Sequence, residues 1–121
     1  MDVRRRDDAP RNERGGQVSH LLLTTPAISI TWVRGEPGSQ QRLHAHAKSE
    51  QVYVIIRGRG LMLVGDEERE VEAGTAILIP AGEEHAIRNV GLEPLEYVSA
   101  TTPGFAAEVE GDTWRSGLEE T

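Results

Sequence analysis

Cysteine is absent from the chain, which excludes disulfides, thiolate metal sites and a cysteine nucleophile. Aromatic residues are scarce, two Trp, two Tyr and one Phe, so a core must come mainly from the 27 Leu, Ile and Val. No apolar run exceeds the five residues from Val52 to Ile56, too few for a membrane-spanning helix. A basic excess is missing too. Thirteen Lys and Arg face 20 Asp and Glu, and a net charge of −7 argues against nucleic acid, whose binders draw most of their affinity from a basic surface. The basic start, Arg4-Arg5-Arg6, runs into Asp7-Asp8 and not into an apolar stretch, so it is not read as a signal peptide. The expectation is a soluble, cytoplasmic protein of 121 residues in one domain.

Residues 1–16 hold five Arg, four acids, a Pro and two Gly, with Met1, Val3 and Ala9 the apolar exceptions. Such a segment buries too little surface to offset its ordering entropy, and it is predicted to be a disordered charged arm. From Gln17 onward, short β-rich runs alternate with Gly and Pro. The runs are Ser19–Leu23, Ile28–Val33, Gln51–Ile56, Gly60–Val64, Thr75–Ile79, Ala86–Asn89 and Leu95–Ala100. Their length and regular spacing leave no room for crossover helices and predict an all-β sandwich or barrel over 17–103, followed by a C-terminal extension, 104–121.

His44 and His46 are two residues apart, and on a strand positions i and i+2 project from one face. Converging neutral imidazoles are common ligands for Zn, Fe, Ni and Cu. The surrounding residues carry a fuller pattern. Gly38 is followed by five residues, then His44-Ala45-His46, then Gln51 and, after six more, Gly58. Further on come Gly74, five residues, Pro80-Ala81-Gly82, two residues, His85, three residues and Asn89. With these two motifs the chain resembles the cupin family over roughly residues 20–100. The resemblance implies a single double-stranded β-helix, or jelly-roll, barrel whose mouth holds one metal on His44, His46 and His85.

The family's fourth ligand is usually a Glu, and here its position is contested. With six residues between, Gln51 stands before Gly58; Glu50 is one residue off, and a one-residue slip sends a side chain to the opposite face. The strand-to-turn spacing favours Gln51, although a β-bulge could bring Glu50 in. Three neutral His and an amide would leave a divalent ion (Zn, Mn, Fe, Ni or Cu) at net +2, favouring anionic ligands. Arg42 shares strand parity with the two His and points either into the pocket, to pair with a substrate carboxylate or phosphate, or to water at the rim. Tyr53 shares parity with Gln51 and is either an acid/base candidate or packing. Glu83 and Glu84 are read as solvated loop carboxylates, Asn89 as the brace of its own turn, and Trp32, Trp114 and His20 as structural.

These readings converge on a small metal-dependent protein acting on a small polar or anionic metabolite by isomerase, epimerase or lyase chemistry. The alternatives are a non-haem metal dioxygenase and a non-catalytic small-ligand-binding module. A homodimer is expected, because short barrels leave sheet edges and apolar strand faces to cover.

Overall fold

A computed structural model describes residues 1–105 and, by backbone alone, residues 109–110 and 113–114. Among the described residues, a 3₁₀ turn, Arg6–Asp8, precedes eleven strands. They are β1 (Arg11–Arg14), β2 (Gln17–Thr24), β3 (Ser29–Gly35), β4 (Glu50–Arg57), β5 (Arg59–Val64), β6 (Glu67–Glu72), β7 (Ala76–Ile79), β8 (His85–Asn89), β9 (Leu95–Thr102), β10 (Val109–Glu110) and β11 (Thr113–Trp114). One sheet runs β10-β11-β1-β2-β3-β9-β4-β7 and faces a second, β6-β5-β8. The architecture is the all-β jelly-roll barrel that the sequence implies. No helix among the described residues is long and apolar enough to cross a membrane.

Period-two alternation explains why these segments pair as they do. Along β3, buried and half-buried residues alternate, with Ser29, Thr31 and Val33 inside and Ile30, Trp32 and Arg34 outside. The core between the sheets is Val33, Tyr53, Ile55, Met62, Val71, Ile79, Ile87, Leu95 and Tyr97. It is mostly aliphatic, as the composition requires. Leu21 and Phe105 form a smaller apolar cluster. Gly58 sits between β4 and β5 at φ 82°, where a Cβ would stand 2.5 Å from the Pro94 carbonyl oxygen, so only glycine fits the turn.

Two strands depart from the expectation. The N-terminal arm is not wholly disordered: Arg11–Arg14 pairs antiparallel with β2, from Arg11 opposite His20 to Arg14 opposite Gln17. Upstream, the Arg6 guanidinium lies 5.4 Å over the Trp32 ring and 3.7 Å from the buried Glu96 carboxylate, which also meets Arg57 at 3.6 Å. Composition judges a segment by what it can bury itself, whereas this arm is held by an existing sheet edge and by an aromatic face. β6, Glu-Glu-Arg-Glu-Val-Glu, escapes notice for the same reason: Val71 is its one buried residue, and its ladder with β5 supplies the rest. Most of the predicted C-terminal extension, and the Trp114 side chain, lie outside the described residues.

Candidate metal centre

The stretch from Gly38 to Ser49 forms no regular strand, yet it is laced to β8 from Gly38 to His44. Gly38 N–H donates to Asn89 O, Asn89 N–H to Ser39 O, and Gln41 N–H to Ile87 O. The lacing ends in a reciprocal pair, His44 N–H to His85 O at 3.1 Å and His85 N–H to His44 O at 2.8 Å. His44 and His85 are thereby set directly opposite each other, with ring centroids 4.1 Å apart. The next contact, Gly82 N–H to His46 O at 2.9 Å, ties the Pro80-Ala81-Gly82 turn to the third histidine, and Gly82 takes a φ of 82° there. The His46 ring lies 5.1 Å from His44 and 5.7 Å from His85. One ring nitrogen from each of the three falls within 4.8 Å of the others, close enough to share one ion.

The imidazoles are also oriented. His44 Nδ1 lies 2.7 Å from the Arg42 carbonyl oxygen and His85 Nδ1 lies 3.0 Å from that of Glu83. A carbonyl can only accept, so Nδ1 carries the proton in both rings and Nε2 presents its lone pair. His85 Nε2 is buried with no hydrogen-bond partner. A lone pair held in that way is costly unless something electrophilic takes it up. All three rings stay neutral below their ordinary range. Burial, then the neighbouring His85, holds His44 down to about 3 and His46 to about 4, and burial lowers His85. Three neutral, converging imidazoles fit a divalent transition metal.

These shifts have a consequence for the metal-free protein. In the unfolded chain each histidine titrates near 6.5. Below that pH the unfolded state therefore takes up more protons than the folded one, and stability falls with acid. The melting temperature of the metal-free protein should drop as pH goes from about 6.5 towards about 4, and His44→Ala/His46→Ala should flatten that slope. A profile equally steep in the double variant would show that other groups carry it.

On β4, Gln51 faces inward and Glu50 is exposed. The ladder to β9 runs without a break from Glu50 opposite Thr102 to Ile55 opposite Tyr97, so no bulge brings the carboxylate in; the register shift comes later, between Ile55 and Arg57. Gln51 Nε2 donates to Thr101 Oγ1 at 2.9 Å and to Ser99 Oγ at 3.5 Å, while its Oε1 is buried and unpartnered. Tyr53 is also inside, its ring 5.9 Å from His85 and stacked 4.6 Å from Tyr97. Gln41 Nε2 donates to both phenolic oxygens at 3.2 Å, and burial pushes the Tyr53 hydroxyl up to about 12, which makes it a hydrogen-bonding wall and a poor acid at neutral pH.

Arg42 takes the exposed one of its two expected placements. Its side chain is exposed, and what it contributes is the carbonyl that orients His44. The parity argument fails because Gln41 and His44, an odd number apart, are both buried in a segment that follows no strand pleat. Glu83 and Glu84 likewise act through their carbonyls, to His85 Nδ1 and to Gly65 N–H, with exposed side chains. Asn89 braces its turn as expected, accepting from Gly91 N–H and donating to the Glu93 and Gly35 carbonyls. Trp32 packs on the outer face, its Nε1 donating to Glu96, and His20 stands apart from the cluster on β2.

Four contributors escaped the sequence reading. Ser99 and Thr101 had a signal, since they are hydroxyls at the inward parity of β9 beside Leu95 and Tyr97. Gln41 and Phe105 had none. Phe105 approaches His46 at 5.6 Å because its N–H bonds to Ser29 Oγ, 76 residues away in sequence.

Comparison with known proteins agrees with this fold. The family profile Cupin_2, described as a cupin domain, matches residues 31–101. An uncharacterised protein of Methanocaldococcus jannaschii is 41% identical over 71 residues, covering 59% of this chain and 57% of its own, so the chain spans little more than half of that relative. A protein of Thermotoga maritima named as oxalate-binding is 29% identical over 73% of this chain and 79% of its own. Among solved structures, KdgF from a Halomonas species superposes with a TM-score of 0.79 at 17% identity, covering 90% of this chain and 99% of that one, which speaks to the fold alone.

Proposed function

This chain belongs to the cupin family, and from that premise we propose that it holds one divalent transition metal in the barrel mouth and uses it to bind and activate a small anionic metabolite. The ligands are His44, His46 and His85 through nitrogen, with the Gln51 amide oxygen as the fourth. The observation that carries the reading is the His85 Nε2 lone pair, buried, unpartnered and oriented by the Glu83 carbonyl beside two similar rings. Because all four donors are neutral, a divalent ion keeps its full charge and attracts a carboxylate. The similarity to a protein named as oxalate-binding supports a carboxylate-bearing ligand. When bound, such an ion polarises a carbonyl or hydroxyl oxygen, the step that isomerases, epimerases and lyases share. The protein's own part is to orient: Arg42 and Glu83 hold the rings, and Gln41 holds the Tyr53 and Tyr97 hydroxyls as the polar floor. Tyr53, at about 12, serves as a hydrogen-bond partner and not as the proton store.

Elemental analysis tests the reading. The protein should carry close to one metal per chain after reconstitution, and His44→Ala/His46→Ala close to none with the fold intact by circular dichroism. Metal content unchanged by the double substitution would refute the site.

The protein is further proposed to pair as a homodimer through the outer face of the larger sheet. Val54, Ile56 and Leu78 there are 40%, 42% and 58% exposed, an apolar band that water disfavours. Sedimentation at micromolar concentration should report twice the chain mass of 13.3 kDa, and a monomer would refute the pairing.

A further inference from the structure

We infer that Thr101, assisted by Ser99, is a positioning residue that locks the Gln51 amide with its oxygen towards the histidine cluster, making a neutral side chain a dependable metal donor. The inference rests on the metal site proposed above and concerns what makes its fourth position work.

An amide is ambiguous by nature. Rotation of its terminal torsion exchanges a good metal donor, the oxygen, for an NH₂ group that repels a cation. A carboxylate in the same place presents oxygen either way and needs no such control. A glutamine here therefore requires something that distinguishes its two ends, and β9 supplies it. The ladder sets Thr101 directly opposite Gln51 and Ser99 directly opposite Tyr53, so both hydroxyls share the inner face with the amide. Nε2 has two protons, and two hydroxyl oxygens receive them, at 2.9 Å and 3.5 Å. Nothing takes up Oε1, which is left buried and unpartnered, as His85 Nε2 is. Gln51 is 5% exposed and Thr101 is fully buried, so water cannot substitute for either hydroxyl. An aliphatic residue would pack at position 101 at least as well, and a buried hydroxyl is retained there at the cost of its own desolvation. The two buried lone pairs, an amide oxygen and an imidazole nitrogen, suit a metal better than they suit each other.

A double-mutant cycle tests this on the full chain, with Co(II) as probe, affinity read by competition with a chelating dye, and coordination read from visible absorption. Thr101→Val is nearly isosteric and should weaken Co(II) binding roughly tenfold, in the range found when groups that orient ligands are removed. It should also change the absorption in the direction that Gln51→Ala does. In the Gln51→Ala background Thr101→Val should have less than about a twofold effect, because nothing remains to orient. Thr101→Ser should restore binding. Ser99→Ala, at the longer contact, should act in the same direction and less strongly, and it serves as the variant should Thr101→Val not fold. Equal losses in both backgrounds, or no loss with unchanged absorption, would overturn the positioning role. A wild-type protein that takes up no Co(II), or one unaffected by His44→Ala/His46→Ala, would instead overturn the metal site itself.

Discussion

Replacing Gln51 by Glu should strengthen metal binding while weakening the binding of a small carboxylate at least about tenfold. The new carboxylate offsets one unit of the metal's charge, and the electrostatic attraction for an incoming anion falls accordingly. The same substitution should act in the opposite sense on the metal-free protein. Gln51 is 5% exposed, and a carboxylate in its place loses hydration without gaining a cation. Thr101 and Ser99 soften the loss, since hydroxyls that accept from an amide can turn and donate to a carboxylate. A destabilisation of about 1–3 kcal/mol at neutral pH, shrinking as pH falls and the group protonates, is the expected result for the metal-free form. Calorimetric titration with oxalate and denaturant melts with and without metal measure both effects. Unchanged or tighter oxalate binding would show that the ion's net charge is not what draws the ligand.

The second large effect lies in the core. Ile87→Ala should cost about 3 kcal/mol, because Ile87 is fully buried among the aliphatic side chains of both sheets and its removal leaves a cavity. Met62 stands opposite Ile87 on the ladder, and Gly60, which the Ile87 side chain packs against, has no side chain with which to fill the space. For a domain of this size that corresponds to a fall of roughly 10 °C in melting temperature. The consequence reaches the site, since Ile87 follows His85 by two residues on β8 and its carbonyl takes the Gln41 N–H. Saturating metal should recover part of the loss, because an ion that binds only the folded state adds to its stability. A fall below about 1 kcal/mol by urea titration would mean that the core relaxes into the space.

Much of the site was legible because its parts obey local rules. A glycine at positive φ must interrupt the chain wherever a strand reverses tightly, and Gly38, Gly58, Gly74 and Gly82 all take φ between 82° and 91°. Asn89 braces its turn with its own side chain. Spacing sets Gln51 and Glu50 on opposite faces, and register puts the amide inside and the carboxylate in water. The same parity reasoning could not choose between the two placements of Arg42, which lies on a segment bonded to β8 at intervals and not in a continuous ladder. Parity is a property of a pleated strand and lapses wherever the pleat does.

By itself, then, the sequence determined the all-β class, the positions where the chain turns and the three histidines as the chemically distinctive set. Each of these follows from residue type and short-range spacing. Tertiary structure alone decided which atoms face one another across dozens of residues: Thr101 against Gln51, Gln41 between two tyrosines, Phe105 beside His46 and Arg6 over Trp32. Those pairings depend on strand register and on how two sheets close around a core, quantities set by the whole chain at once, and no local stretch of sequence contains them.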